Sequence, residues 1–170
     1  MSRPRLLLAT VLPLLATGGC SGTPDINGQV GITVTEDGSP VAVVEVCHGS
    51  VATLSVAGPN RGERPNEVHA DLTADQQVRA STTVVLARPG AGWQGTPLLP
   101  PLDDSLYVVI AADRAENSQL QQADVTVAEL VALDPGTVQY SEVVLGANDP
   151  LQSVQVPLAD FHAIACRARD

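Results

Sequence analysis

The chain has 170 residues and a formal net charge of −10 at pH 7, from nine Lys and Arg against nineteen Asp and Glu. All nine cations are Arg, and two of them precede residue 19, so the chain beyond that point carries seven Arg against nineteen carboxylates, a difference of minus twelve. Because nucleic-acid binding depends on clustered Lys and Arg, this balance argues against a nucleic-acid partner.

The first nineteen residues have the order of an export signal. Arg3 and Arg5 form a basic start, residues 6–16 form an apolar segment, and small residues lead into Cys20. The apolar segment is about eleven residues long, whereas roughly twenty are needed to cross a bilayer as a helix. We therefore predict a cleaved signal peptide rather than a membrane span.

The ending of this segment, Leu-Ala-Thr-Gly-Gly-Cys at residues 15–20, resembles the lipobox of bacterial lipoproteins. The resemblance implies a signal peptide at residues 1–19, a lipid on Cys20 and a tether at residues 20–27, which would hold the domain at the extracytoplasmic face of the cell membrane. The alternative is an ordinary signal peptide with an incidental thiol. Three Cys is an odd number for an exported chain, and lipidation gives the third thiol a role.

Residues 28–170 are enough for one domain with a sizeable core. Apolar residues alternate with polar ones at 30–35, and similar short runs recur between turn signals. Strands are predicted at residues 28–35, 41–47, 51–56, 79–87, 105–112, 123–127, 137–145, 151–156 and 161–167. The strand at 105–112 is apolar on both faces and is expected to be covered on both. Residues 67–77 fit either an edge strand or a helical turn, and 113–122 fit a polar connection.

Thr126 and Glu129 have the spacing of a capping box and predict a helical turn. The segment that follows, Leu-Asp-Pro-Gly-Thr-Val-Gln-Tyr at residues 133–140, resembles the tyrosine corner of fibronectin type III and related immunoglobulin-like domains. With turn signals about every ten residues, the expected fold is all-β, an antiparallel immunoglobulin-like β-sandwich of seven to nine short strands.

Cys47 and Cys166 are the two thiols left in the domain, and in an exported protein such a pair is expected to form a disulfide. Cys47 shares its strand face with Glu45. An inward Cys47 therefore requires an inward Glu45 unless a bulge intervenes, so we expect Glu45 at the rim of the sheet or a bulge between the two.

Residues with catalytic or metal-binding potential do not form a recognisable motif. His48, His69 and His162 lack the close spacing of metal ligands, so no metal site is predicted. The chain has no Gly-x-Ser-x-Gly elbow and no phosphate or dinucleotide fingerprint, so no enzyme and no cofactor are predicted.

Residues 88–104 are rich in Pro and Gly, predict a loop without regular structure, and contain Trp93, the only Trp. Long loops are commonly functional, and Trp is a frequent interface anchor, so Trp93 is the candidate binding residue. In the alternative, its ring folds back to cover one end of the core.

The leading functional hypothesis is therefore a lipid-anchored, non-catalytic envelope protein that binds or scaffolds a protein partner. The alternative is a small-ligand or metal-binding lipoprotein that serves a transport or metal-handling system.

Overall fold

The structure is a computed structural model of the full chain, and it describes residues 25–58, 66–99, 102–103, 105–115, 117–144 and 151–167. Within these ranges it contains eleven strands and two short helices. Neither helix has the length and apolar character needed to cross a membrane. The prediction of an all-β domain is confirmed.

The elements follow in chain order, and the strands are short, as the turn signals predict. They are β1 Asp25–Val34, β2 Pro40–Val46, β3 Val51–Ala57, β4 Val68–Val78, β5 Thr82–Val85, β6 Trp93–Thr96, β7 Leu106–Ala112, β8 Ser118–Gln121, β9 Ala123–Thr126, α1 Val127–Ala132, β10 Thr137–Val143, β11 Leu151–Pro157 and α2 Leu158–Ile164.

The described strands form one mixed sheet that curls into a half-barrel. β1 is its centre, because β2 pairs along one side of it while β8 and β10 share the other side. The β1–β8 pairing is parallel and the other pairings are antiparallel, so the sheet is not the purely antiparallel one that the sequence predicts. Parallel pairing joins segments about ninety residues apart, which no local turn signal encodes.

The main core lies inside the curl of the sheet. Inward-facing side chains alternate along β1, where Val30 and Ile32 are 0% and 1% exposed. Leu54, Leu72 and Val109 face them from β3, β4 and β7. Only one face of β7 is fully buried: Leu106 on its other face is 43% exposed, which corrects the expectation of a strand covered on both sides.

A second, smaller apolar cluster lies on the outer face of the sheet, beneath α2. Val43, Val138, Tyr140 and Phe161 form it, and Phe161 is 0% exposed. Gly31 provides the space: a Cβ there would lie 2.3 Å from Val138 Cγ1 and 3.1 Å from the Phe161 ring. The predicted last strand at 161–167 is therefore wrong, since α2 packs across the sheet instead of extending it.

Two other predictions are corrected and one open alternative is decided. β4, Val68–Val78, shows that the segment at 67–77 is a strand and not a helical turn, although it pairs with both β3 and β6 and is not at an edge. The polar connection at 113–122 contains β8, because Leu120 is fully buried in the main core. The loop at 88–104 contains β6, which pairs with β4.

The pairing registers define two ends of the half-barrel. We call the end at which β1 begins the proximal end; Asp25 pairs there with Ser118, and the next residue of β8 pairs with Ala112. We call the opposite end, where β1 meets β2 and β9 meets α1, the distal end. Each end is built from segments far apart in sequence.

Candidate functional site

The predicted lipidation site, Cys20, and most of the predicted tether lie outside the described residues. The last three residues of that tether, 25–27, are already part of β1. Cys20 therefore precedes the first strand by five residues, a chain length that reaches at most about 18 Å. Ten residues of β1 span about 33 Å, so only the proximal end lies within that reach.

The predicted disulfide is present. Cys47 and Cys166 are bonded, with their Cα atoms 5.3 Å apart and a sequence separation of 119. Cys47 follows β2 and Cys166 follows α2, so the bond fastens the C-terminal helix to the outer face of the sheet.

Glu45 is buried on that outer face, with 6% of its side chain exposed. The Ser81 hydroxyl donates a hydrogen bond to one carboxylate oxygen, and the His162 Nδ1 is hydrogen-bonded to the other. The expectation of a rim position or a bulge is wrong, because α2 covers this face and supplies His162 as the partner. β2 pairs with β1 residue by residue through Glu45, without a shift of register.

This cluster joins helix to sheet. In a serine hydrolase the imidazole stands between hydroxyl and carboxylate, where it takes the hydroxyl proton. Here Glu45 stands between Ser81 and His162, so the two side chains share a carboxylate and are not joined to one another. The geometry fits a buried carboxyl group held by two hydrogen bonds, as burial of a polar group requires.

The other two histidines lie apart from this cluster. The rings of His69 and Tyr107 meet edge to face, with their centroids 4.9 Å apart. His48 is exposed in the turn after β2. Among the described residues no group of three or more His, Cys, Asp or Glu side chains is placed to share a metal ion.

Tyr107 is 1% exposed, and its hydroxyl donates to the Asp103 carboxylate at 2.8 Å. Burial, with the adjacent Asp103, raises the pKa of the Tyr107 phenol above its ordinary value of 10.0. The Tyr107 ring belongs to the main core, and its hydroxyl fixes the described part of the chain just before β7.

Trp93 begins β6 and pairs with Ala74 of β4. The ring is partly buried and packs against the main core, so part of its apolar area is already withdrawn from water. This position fits the alternative in which Trp93 covers the core. Trp93 also lies toward the proximal end. Its partner Ala74 follows Thr73, which pairs with Thr53 of β3, and Thr53 in turn pairs with Ala112, the residue of β7 at that end.

An apolar cleft opens at the distal end, with a volume of about 400 Å³. We call it the distal cleft. Its walls are the turn between β1 and β2, residue 102, and the segment from α1 to residue 135; the apolar side chains are mainly Val34, Pro40, Leu102, Val127, Leu130 and Leu133. Val131 projects at its edge and is 82% exposed, more than any other large apolar side chain in the described ranges.

Capping and turn residues hold these walls in place. The Thr126 hydroxyl accepts from the Glu129 backbone N–H, and the Glu129 carboxylate accepts from the Thr126 N–H, so the predicted capping box is confirmed. At the other end of the wall, the Thr137 N–H donates to Asp134, and Gly136 takes a φ of +82°, a turn conformation that favours glycine.

The rim of the distal cleft is acidic. Glu36 lines it, and Asp37 and Asp134 are exposed beside its lining residues. Hydrogen bonds from Thr35 and Ser39, with a smaller contribution from Arg88, lower the pKa of the Asp37 carboxyl. Arg88 pairs with Asp37 at 3.1 Å, and the described residues that line the cleft include no Lys or Arg.

Sequence reasoning did not find the distal cleft, because its walls come from residues 34–40, 102 and 127–135. The capping box and the Asp-Pro-Gly turn were visible, but nothing local says that they face the β1–β2 turn. Comparison with protein-family models, with curated proteins and with solved structures finds no match to this chain.

Proposed function

We propose that this protein is a lipid-anchored, non-catalytic envelope protein that binds a protein partner at its distal end. The observation that carries the proposal is the distal cleft, an apolar surface at the end of the half-barrel opposite Asp25. A lipid on Cys20 would hold the proximal end at the membrane and leave the distal end facing away from it.

The anchor is tested by metabolic labelling. In cells that express the full chain and are supplied with a clickable palmitate analogue, we expect this protein to carry the label. Cys20→Ser should abolish the label while Cys47 and Cys166 remain paired. Label retained in Cys20→Ser contradicts lipidation at this residue.

The binding face is tested by site-specific photo-crosslinking in intact cells. A photoreactive residue at Val131 lies on the distal end, and the matched control is Ala80, which is exposed in the turn between β4 and β5 at the proximal end. We expect Val131 to capture a specific protein that Ala80 does not capture. Equal capture from both positions contradicts a distal binding face.

A small-ligand lipoprotein is the second candidate, and one observation favours it. The distal cleft of about 400 Å³ lies within the range of small-molecule sites, which are mostly apolar with a few polar groups. Native mass spectrometry of protein isolated from its own cells tests this: a bound small molecule lost in a Leu130→Asp variant would favour the ligand role over a protein partner.

The immunoglobulin-like class of the fold is also a proposal. It is supported by the turn at residues 134–137, by burial of Leu133 and by Tyr140, which packs 5.5 Å from Phe161. The mixed sheet and the outer helix α2 are additions that this class would have to accommodate.

A further inference from the structure

We infer that the distal cleft recognises a peptide segment in which aliphatic side chains are flanked by Lys or Arg. This inference rests on the proposed function and adds the chemistry of the partner. It follows from three properties of the cleft: its apolar floor, the sign of the charge at its rim, and its place in the fold.

The floor selects aliphatic side chains. Leu133 is 5% exposed and Val34 is 6% exposed at the base, while Val131 stands at the edge with 82% of its surface in water. A partner side chain placed between Val131 and the floor would withdraw apolar area on both molecules from water, the largest favourable contribution available here.

The rim selects positive charge. Glu36 lines the cleft, Asp134 is exposed between the lining residues Leu133 and Pro135, and Arg88 is engaged by Asp37. The chain after residue 19 carries a large excess of negative charge, so an acidic partner would be repelled over the whole surface. A Lys or Arg beside the aliphatic anchor would therefore meet opposite charge at this rim.

The place of the cleft separates this partner from a lipid surface. The distal end lies a full length of β1 from Asp25, about 33 Å, whereas the chain between Cys20 and Asp25 reaches at most about 18 Å. Cys20 itself would therefore lie at least about 15 Å from the distal end. A negatively charged rim would also be repelled by anionic lipid.

The test uses the full chain carrying Cys20→Ser and three fluorescent peptides of one length. The probe is Lys-Lys-Leu-Val-Leu-Lys-Lys; one control replaces each Lys by Glu, and the other replaces the three apolar residues by Ser. We expect measurable binding of the probe alone by fluorescence anisotropy, with affinity that falls as salt rises. Binding of the Glu peptide as tight as that of the probe overturns the inference.

Two surface variants locate the binding. Val131→Ser should weaken probe binding about tenfold, because it removes apolar contact area at the edge of the cleft. The matched control is Ile26→Ser, since Ile26 is 50% exposed at the proximal end, and it should change affinity less than twofold. Equal losses in the two variants, or none in Val131→Ser, overturn the assignment to this cleft.

A charge variant tests the rim, and unfolding midpoints check the fold of each variant. Glu36→Gln combined with Asp134→Asn should weaken the probe about three- to tenfold and flatten its salt dependence. An unchanged affinity and salt slope contradict recognition of the basic flanks. If the probe fails to bind while Val131 captures a protein in cells, the partner chemistry is wrong and the proposed function stands. If the probe binds but Val131 captures nothing, the proposed function fails by itself.

Discussion

Removal of the disulfide between Cys47 and Cys166 should destabilise the whole domain. In the chain-entropy model, the bond lowers the entropy of the unfolded chain by an amount that grows with the logarithm of the loop it closes. The loop here spans 119 residues, which corresponds to about 5 kcal/mol at 25 °C. For a domain of about 140 residues this loss lowers the thermal midpoint by about 10 to 20 °C.

The perturbation is Cys47→Ala with Cys166→Ala in a chain that also carries Cys20→Ser, so that no thiol is left to rearrange. Thermal and guanidinium unfolding are followed by the fluorescence of Trp93, the only Trp in the chain. Its ring packs against the main core, away from α2, so a shifted Trp93 transition reports loss of global stability rather than release of the helix. The oxidised Cys20→Ser chain is the reference.

A second readout separates the local effect from the global one. Hydrogen exchange in α2 should accelerate more than exchange in β3 when the bond is absent, because the bond fastens α2 at its C-terminal end. Chemical reduction of the reference chain should reproduce the double-Ala midpoint. A shift of less than about 3 °C would refute the reasoning, since the unfolded chain would then gain almost no entropy from the missing crosslink.

Three further predictions concern the cores. Phe161→Ala should lower the free energy of unfolding in denaturant by about 3 to 5 kcal/mol, because it leaves a cavity at a fully buried site. Val131→Ala, at the exposed edge of the distal cleft, should change that free energy by no more than about 0.5 kcal/mol. Similar losses in the two variants would contradict the packing of α2. Gly31→Ala should lower the free energy of unfolding by about 1 to 3 kcal/mol, because the added Cβ would lie 2.3 Å from Val138 Cγ1. Val138→Ala in the same chain should recover part of this loss. Strictly additive effects of the two substitutions would argue against the contact. Because the pKa of Tyr107 is raised in the folded protein, the phenol ionises first in the unfolded chain. The contribution of Tyr107 to the free energy of unfolding is therefore complete below about pH 10 and is lost as the pH rises from there through the folded pKa. Tyr107→Phe should flatten this alkaline decline in stability, and an unchanged slope would contradict burial of the phenol.

Much of the fold was predictable from local sequence. The alternation of apolar and polar residues at 30–35 predicted the strand that the structure shows as β1. The capping box at Thr126 was predictable because it depends only on two residues three positions apart, Thr126 and Glu129. The disulfide followed from elimination among three thiols.

Helix α2 was missed although a signal was present. Leu158, Phe161 and Ile164 are spaced three apart and face the second cluster, which is a helical period. Residues 161–167 taken alone are too few for the helical period to be distinguished from the alternation of a strand. The buried Glu45 was misjudged for the same reason, since its partner His162 comes from that helix.

Composition and neighbours along the chain are enough to predict a chain that is rich in short strands, strongly acidic and able to form one crosslink. The parallel pairing of β1 with β8, the cover of the outer face by α2 and the distal cleft appear only in the folded molecule. These features depend on contacts between residues up to about 130 positions apart, such as Gly31 and Phe161. Such contacts are selected by the burial of the whole sheet, and no stretch of the sequence specifies them alone.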